Sequence, residues 1–298
     1  MRVFVTGATG FIGSAVVQEL IDAGHQVLGF ARTDAAADTL ARLGVEAHRG
    51  DLSDTESLAA GARACEGVIH TAFIHDFVDF PAAAETDRRA IEALGSALAG
   101  SSRPLVTTSG IALLTPGCLG AEDDAPDPGS AAAFRIASEE ATLAMASRGV
   151  RASLVRLPPS VHGDDDHGFV PRVIGIAREK GVSAYVGDGR NRWPAVHRLD
   201  AAHLFRLALE TGSAGARYHG VADQGVPVRD IADVIGRRLS VPVVGKSAEE
   251  AADHFGFLAR FLAIDCPASS AQTQERLGWR PTRPGLIVDL NHGRYFET

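Results

Sequence analysis

Thr6-Gly7-Ala8-Thr9-Gly10-Phe11-Ile12-Gly13 is the stretch that decides the fold. Its three glycines stand at G-x-x-G-x-x-G spacing, directly after the apolar run Val3-Phe4-Val5 and before an apolar-periodic stretch from Ile12 to Ala23. Glycine permits the tight turn, lets backbone N–H groups approach a pyrophosphate, and allows the helix close against the strand. Strand, loop and helix agree, and the motif opens the chain. The stretch therefore reads as a dinucleotide-binding loop rather than a glycine-rich turn of structural purpose alone.

Outward from that loop, Gly24 is placed as a helix C-cap and Gln26 to Phe30 as a second strand, a βαβ unit of about thirty residues. The rhythm continues with a helix near Asp38 to Leu43, a strand near Glu46 to Arg49, a helix near Thr55 to Ala64 and a strand from Gly67 to Ala72. A longer helix is expected from about Ala84 to Leu98, a strand from Pro104 to Ser109, a helix from Ser130 to Arg148 and a strand from Arg151 to Leu157. This alternation predicts an α/β fold with a Rossmann-type, doubly wound parallel sheet. After Pro158-Pro159 the pattern loosens, with helical stretches near Ala201 to Glu210, Val228 to Leu239 and Ala248 to Leu262. The expected organisation is a dinucleotide-binding domain over residues 1–162, with a return segment near 195–220, and a smaller C-terminal substrate-binding lobe over 163–298.

The 298 residues are 45% hydrophobic and 22% charged, the balance of an ordinary globular protein. A formal net charge of −8, with no basic run, argues against nucleic acid as a partner. Cys65, Cys118 and Cys266 are odd in number and far apart, which suggests neither a disulfide framework nor a metal site. No signal peptide or membrane-spanning run is evident, so a cytoplasmic protein is expected.

The choice of dinucleotide turns on the end of the second strand, about 20 residues past the glycines, where Arg32 stands. An acid there accepts from a free ribose 2′-OH, whereas a guanidinium pairs with a 2′-phosphate. Arg32 and Thr33 therefore favour NADP(H) over NAD(H). Asp34 keeps the NAD(H) reading open, and a solvated loop arginine is the bland alternative.

Further segments follow in order along nearly the whole chain: Asp51-Leu52, His70-Thr71-Ala72, Arg156-Leu157-Pro158-Pro159-Ser160-Val161-His162-Gly163, Ala195-Val196-His197-Arg198-Leu199-Asp200 and Leu277-Gly278-Trp279-Arg280-Pro281. With the glycine loop they resemble the extended short-chain dehydrogenase/reductases, the NAD(P)-dependent epimerase/dehydratase-like proteins. The resemblance implies that the loop from Thr6 to Gly13 holds the cofactor, that Asp51 and Leu52 lie beside the adenine, and that Thr71, Ala72 and Phe73 run along the cofactor. It places Pro159, Ser160 and Val161 near the nicotinamide carboxamide. His70 reads as a core histidine beneath the cofactor, and His197 and Asp200 as organisers of interdomain packing. A homodimer through the helices near 84–98 and 130–148 is also implied.

Hydride-transferring members of that family use a Tyr-x-x-x-Lys pair, in which the lysine lowers the pKa of a phenol that is otherwise a poor acid at neutral pH. Here the corresponding helix reads Phe134-Arg135-Ile136-Ala137-Ser138-Glu139, with Arg135 at the tyrosine position and Glu139 at the lysine position. Only Tyr185, Tyr218, Tyr295, Lys180 and Lys246 occur in the chain, and none of the tyrosines has a lysine four residues later. Ser109 falls at the family's catalytic serine or threonine position, so Ser109 or Thr108 could polarise a ketone while water or the substrate supplies the proton. Arg135 could stabilise an oxyanion, or pair with Glu139 on a helix face.

Two readings follow. One is an NADPH-dependent ketoreductase of atypical type, acting on a small, aromatic, polyketide-like ketone by positioning rather than by the usual acid. The other is a non-catalytic NADP-binding sensor or scaffold. Sugar-nucleotide epimerisation leans on the same missing tyrosine and is disfavoured. Phe169, Asn191, Arg192 and Trp193 suggest a site for a second ligand, which a sensor does not need.

Overall fold

In the computed structural model, residues 1–75 and 79–297 are described. The chain opens with strands β1 (Arg2–Thr6), β2 (Gln26–Ala31), β3 (Glu46–Arg49) and β4 (Gly67–His70), separated by helices α1 (Phe11–Asp22), α2 (Asp34–Arg42) and α3 (Thr55–Arg63). Helix α4 (Phe80–Leu98), β5 (Pro104–Gly110), α5 (Ile136–Ala144) and β6 (Arg151–Leu157) follow. Next come β7 (Ser160–His162), α6 (Phe169–Lys180), β8 (Ser183–Val186), β9 (Arg192–His197), α7 (Arg198–Thr211), β10 (Arg217–His219) and β11 (Asp223–Pro227). The chain closes with α8 (Val228–Leu239), β12 (Val243–Lys246), α9 (Ala248–Phe255), α10 (Ala259–Leu262), α11 (Ala271–Leu277) and α12 (Leu286–His292).

Among these residues a seven-stranded parallel sheet runs β10-β6-β5-β4-β1-β2-β3. The order reverses between β1 and β4, which pair with Thr6 opposite His70, so the crevice at a doubly wound sheet's switch point opens past these two residues. The central strands are apolar on both faces, as burial between two helical layers requires: α1 and α7 cover one face, α3 and α4 the other. A three-stranded sheet, β11-β9-β7, and a two-stranded one, β12-β8, lie beyond, around a second core that includes Trp193, Ile235 and Leu286. The Trp279 indole, fully buried, donates to the Asp200 carbonyl at 3.0 Å, and the Asp200 carboxylate accepts from the amides of Thr282 and Arg283. His197 caps α7, its ring accepting from Leu199 N–H.

Several helix boundaries differ from expectation for local reasons. Helix α4 begins at Phe80, because Asp79 accepts from Ala82 N–H and Pro81 suits the first turn. Thr33 starts α2 four residues early by the same kind of cap. The helix expected from Ser130 begins only at Ile136, after a turn in which Ser130 N–H donates to Asp127 and a short 3-10 stretch over Ala133–Arg135. Gly256, at φ +58°, ends α9 and splits the helix expected over 248–262.

The phosphate loop is glycine-built by contact. A Cβ at Gly13 would lie 1.9 Å from the Gly7 carbonyl oxygen, whereas one at Gly175 in α6 meets nothing within 4 Å. Gly13→Ala is therefore expected to lower the unfolding free energy by about 1–3 kcal/mol, and Gly175→Ala to raise it by about 0.5–1 kcal/mol, both in urea titrations.

Candidate active site

A cavity of about 1040 Å³ extends from the glycine loop across the ends of β4 and β5 to an aromatic wall. Gly7, Gly10, Phe11, Ile12 and Gly13 line its start. Helix α1 has no side-chain N-cap, which leaves its first N–H groups for an anion. Arg32, Thr33, Asp51 and Leu52 line one end, and Thr71, Ala72, Phe73, Pro159 and Val161 the middle. Two residues expected here fall outside. Thr6 is buried and bonded at 2.7 Å to His70 Nδ1, and Ser160 is buried in β7, whose alternation turns Pro159 and Val161 to the cavity instead.

At the ribose end, Asp34 is exposed, pairs with Arg49 at 2.9 Å and does not line the cavity. Arg32 makes no hydrogen bond or ion pair with another described residue. Asp51 folds its carboxylate over its own loop, accepting from Ser53 N–H and Oγ at 3.0 and 2.8 Å. Those bonds, with Arg32 beyond them, hold it below the ordinary carboxylate range.

Around Arg135 and Glu139, where the resemblance implies the tyrosine and lysine positions, the charges are paired as follows. Glu139 is buried and takes a two-pronged pair from Arg156, Nε to Oε1 at 2.9 Å and Nη2 to Oε2 at 2.8 Å. Ser109 Oγ donates to the same carboxylate at 2.6 Å. The expected Arg135–Glu139 pair does not form, because Arg156 occupies Glu139. Instead Arg135 Nη2 donates to Asp87 at 3.2 Å and to the Thr108 carbonyl at 2.9 Å, and its guanidinium lies 4.3 Å over the Phe73 ring. Asp87 also meets His70 Nε2 at 3.1 Å; Arg135 and His70 outweigh burial and hold its carboxyl below the ordinary range. Arg135 Nε is buried without a partner among the described residues.

The hydroxyl readings change accordingly. Ser109, Thr108 and Arg135 all line the cavity, but the Ser109 proton is directed to Glu139 and the Thr108 proton to the His70 carbonyl at 2.8 Å. Neither is free to polarise a ketone in this arrangement. That leaves Arg135.

Beyond Arg135 the wall is aromatic. Phe80 stacks on Phe134 at 5.0 Å, Phe169 on Phe261 at 5.2 Å, and Trp193 lies 5.8 Å from Phe169. Phe169 and Trp193 line the cavity, whereas Asn191 and Arg192 stand behind it, holding the carbonyls of Leu262 and Ile264 and the Asp265 carboxylate. Sequence reading missed His75, Asp166 and His167, which also line the cavity. The cluster Asp164-Asp165-Asp166-His167 between two glycines was the signal for Asp166 and His167; His75 had none beyond its nearness to Thr71-Ala72-Phe73. Partial enclosure and Arg135 hold His75 below the ordinary histidine range, and burial raises Asp166 above the ordinary carboxylate range. No group of residues suited to a metal occurs, and no helix is long and apolar enough to cross a membrane, among the described residues.

The family profile described as NAD dependent epimerase/dehydratase matches residues 3–97. An uncharacterised Schizosaccharomyces pombe protein, C2A9.02, is 52% identical across 99% of this chain and 100% of its own. A 2-alkyl-3-oxoalkanoate reductase of Stenotrophomonas maltophilia is 29% identical across 83% of this chain and 78% of its own. The dTDP-glucose 4,6-dehydratase DesIV of Streptomyces venezuelae, solved with NAD bound, shares the fold at a TM-score of 0.81, with 20% identity over 99% of this chain and 97% of that one.

Replacing Glu139 by Gln, or by the Lys of the family pattern, is expected to cost about 3–5 kcal/mol or more in urea unfolding, because Arg156 is left as an uncompensated buried charge. The Lys variant should be the worse of the two.

Proposed function

The chain belongs to the NAD dependent epimerase/dehydratase family and is an NAD(P)-dependent oxidoreductase; from that premise we propose an NADPH-dependent ketoreductase that acts on a small ketone with an aromatic, polyketide-like body. The observation that carries this reading is the seat of Arg135. It stands where relatives place tyrosine, fixed by Asp87 and the Thr108 carbonyl, between the cofactor-lining residues and the aromatic wall. A guanidinium so held stabilises negative charge growing on a carbonyl oxygen without reorganising.

The glycine loop fits a dinucleotide, since any side chain at Gly13 would fill the space the loop needs. Gly7, Gly10 and Gly13 would hold the pyrophosphate, with Phe11 and Ile12 beside it. Arg32 and Thr33 would take the ribose 2′-phosphate, and Asp51 and Leu52 the adenine. Thr71, Ala72 and Phe73 would run along the cofactor to Pro159 and Val161 at the carboxamide. When bound, the reduced nicotinamide supplies hydride. In this scheme residues 1–162, with the return near 195–220, serve the cofactor, and residues 163–298 serve the substrate.

Single-turnover transfer from 4-deuterated NADPH to a panel of aromatic ketones, read by mass spectrometry, should place deuterium in the alcohol. Tight NADPH binding with no deuterium in any product would identify a dinucleotide sensor instead. Arg32→Ala should weaken NADPH roughly tenfold more than NADH, the loss of one charge-assisted pair. Equal weakening of both dinucleotides sinks the NADP(H) assignment.

A further inference from the structure

A ketone reduced in this cavity needs a proton as well as a hydride, and among the described residues Ser109, Thr108, Arg135 and His75 are poorly suited to give one. The Ser109 and Thr108 protons are committed to Glu139 and to the His70 carbonyl. Arginine does not release its proton in a protein. Enclosure and the field of Arg135 lower the pKa of His75 and disfavour its charged, proton-donating form.

The loop between β7 and α6 brings a different group. Asp166 is half-buried and lines the cavity. Its neighbour His167 meets the ring of Phe11 in the phosphate loop edge-on at 5.6 Å. Phe169, three residues on, belongs to the aromatic wall. Asp166 therefore stands where the cofactor half of the cavity passes into the apolar half.

The loop is built to hold it there. Asp165 adopts φ +65°, the left-handed conformation that aspartate tolerates better than most non-glycine residues and that turns the chain here. Asp166 Oδ1 accepts from Gly168 N–H at 2.7 Å, and Oδ2 accepts from the Tyr295 hydroxyl at 2.9 Å. The same hydroxyl accepts from Gly163 N–H at 3.0 Å, so one phenol from the C-terminal turn fixes both ends of the loop. Behind it, His162 Nδ1 meets Asp289 of α12 at 2.7 Å, and Arg198 donates to the Asp164 carbonyl at 2.9 Å.

Resting on the ketoreductase reading, we propose that Asp166 donates the proton to the substrate oxygen and that Tyr295 is its positioning residue. In the step the carbonyl carbon accepts hydride from the reduced nicotinamide, and the π pair moves to oxygen beside Arg135. The O–H bond of Asp166 breaks as the alcohol O–H forms. The carboxylate left behind is held by the Tyr295 and Gly168 donors until water reprotonates it. Burial raises the affinity of the Asp166 carboxyl for its proton, against the Gly168 and Tyr295 hydrogen bonds and the fields of His162 and His167. Tyr295 does not replace Asp166 as the acid, since burial and that carboxylate push its own ionisation higher.

The test is single-turnover reduction of 1-tetralone and of 9,10-phenanthrenequinone by the NADPH-loaded protein across pH. The wild-type rate should fall as pH rises through the ionisation of Asp166. Asp166→Asn should lose roughly 10²- to 10⁴-fold with that limb abolished and NADPH affinity retained, while Asp166→Glu keeps the limb. Tyr295→Phe should move the limb to higher pH, because a donor to the carboxylate is gone. Infrared difference spectra of cofactor-free protein over the same range should contain a carboxylic-acid carbonyl band that Asp166→Asn removes. A folded Asp166→Asn protein with the wild-type rate and pH profile overturns the inference and leaves the ketoreductase reading intact. Absence of transfer to either probe by wild-type protein that binds NADPH overturns both.

Discussion

The buried pair between Glu139 and Arg156 is the constraint around which the site is arranged. Taking a carboxylate into the interior costs several kcal/mol unless its partner and its remaining lone pairs are both provided for. Arg156 meets both oxygens, and Ser109 adds a third donor. The pair ties α5 to β6, draws the Ser109 hydroxyl proton to Glu139 while Ser109 still lines the cavity, and leaves Arg135 to other partners. A lysine at position 139 would face Arg156 rather than a ribose. Arg135 and Glu139 therefore belong to one charge network with Arg156, Asp87 and Ser109 rather than to two separate ones.

With Glu139 occupied, Arg135 turns to Asp87 on α4, and Asp87 carries the connection inward. A hydrogen-bonded chain runs Thr6, His70, Asp87, Arg135, from the strand end beneath the glycine loop to the cation in the cavity. Its first three members are buried, where each bond polarises the next and an unmet group is costly. Thr6 and Arg135 are thereby linked across the switch point through residues of β1, β4 and α4.

The sequence made some of this readable and not the rest, for a physical reason. The glycine loop, the alternating strands and helices and the Arg32 position are local: their meaning lies in spacings of a few residues. Arg135 was open between an oxyanion and Glu139, because helix spacing brings only that acid near. Its actual partner lies 48 residues away, and the competitor that frees it, Arg156, is on another strand. Asp166 was harder still, since its phenol partner is 129 residues on. Thr6 and Ser160 were expected at the cofactor from motif membership, whereas strand alternation turns them inward.

The aromatic wall explains why these long-range pairings matter to chemistry. Stacked rings give the far end of the cavity an apolar lining, a setting of lower local dielectric than bulk water. Low dielectric strengthens the pull of Arg135 on a developing oxyanion and at the same time favours the neutral form of a nearby carboxyl. A phenol becomes a usable acid at neutral pH when a lysine draws its pKa down. A carboxyl becomes one when burial draws its pKa up. The first route needs a tyrosine and a lysine on one helix turn, which this chain lacks. The second needs a cation for the oxygen and a carboxyl at the edge of an apolar enclosure, and Arg135, half-buried Asp166 and the aromatic wall line one cavity.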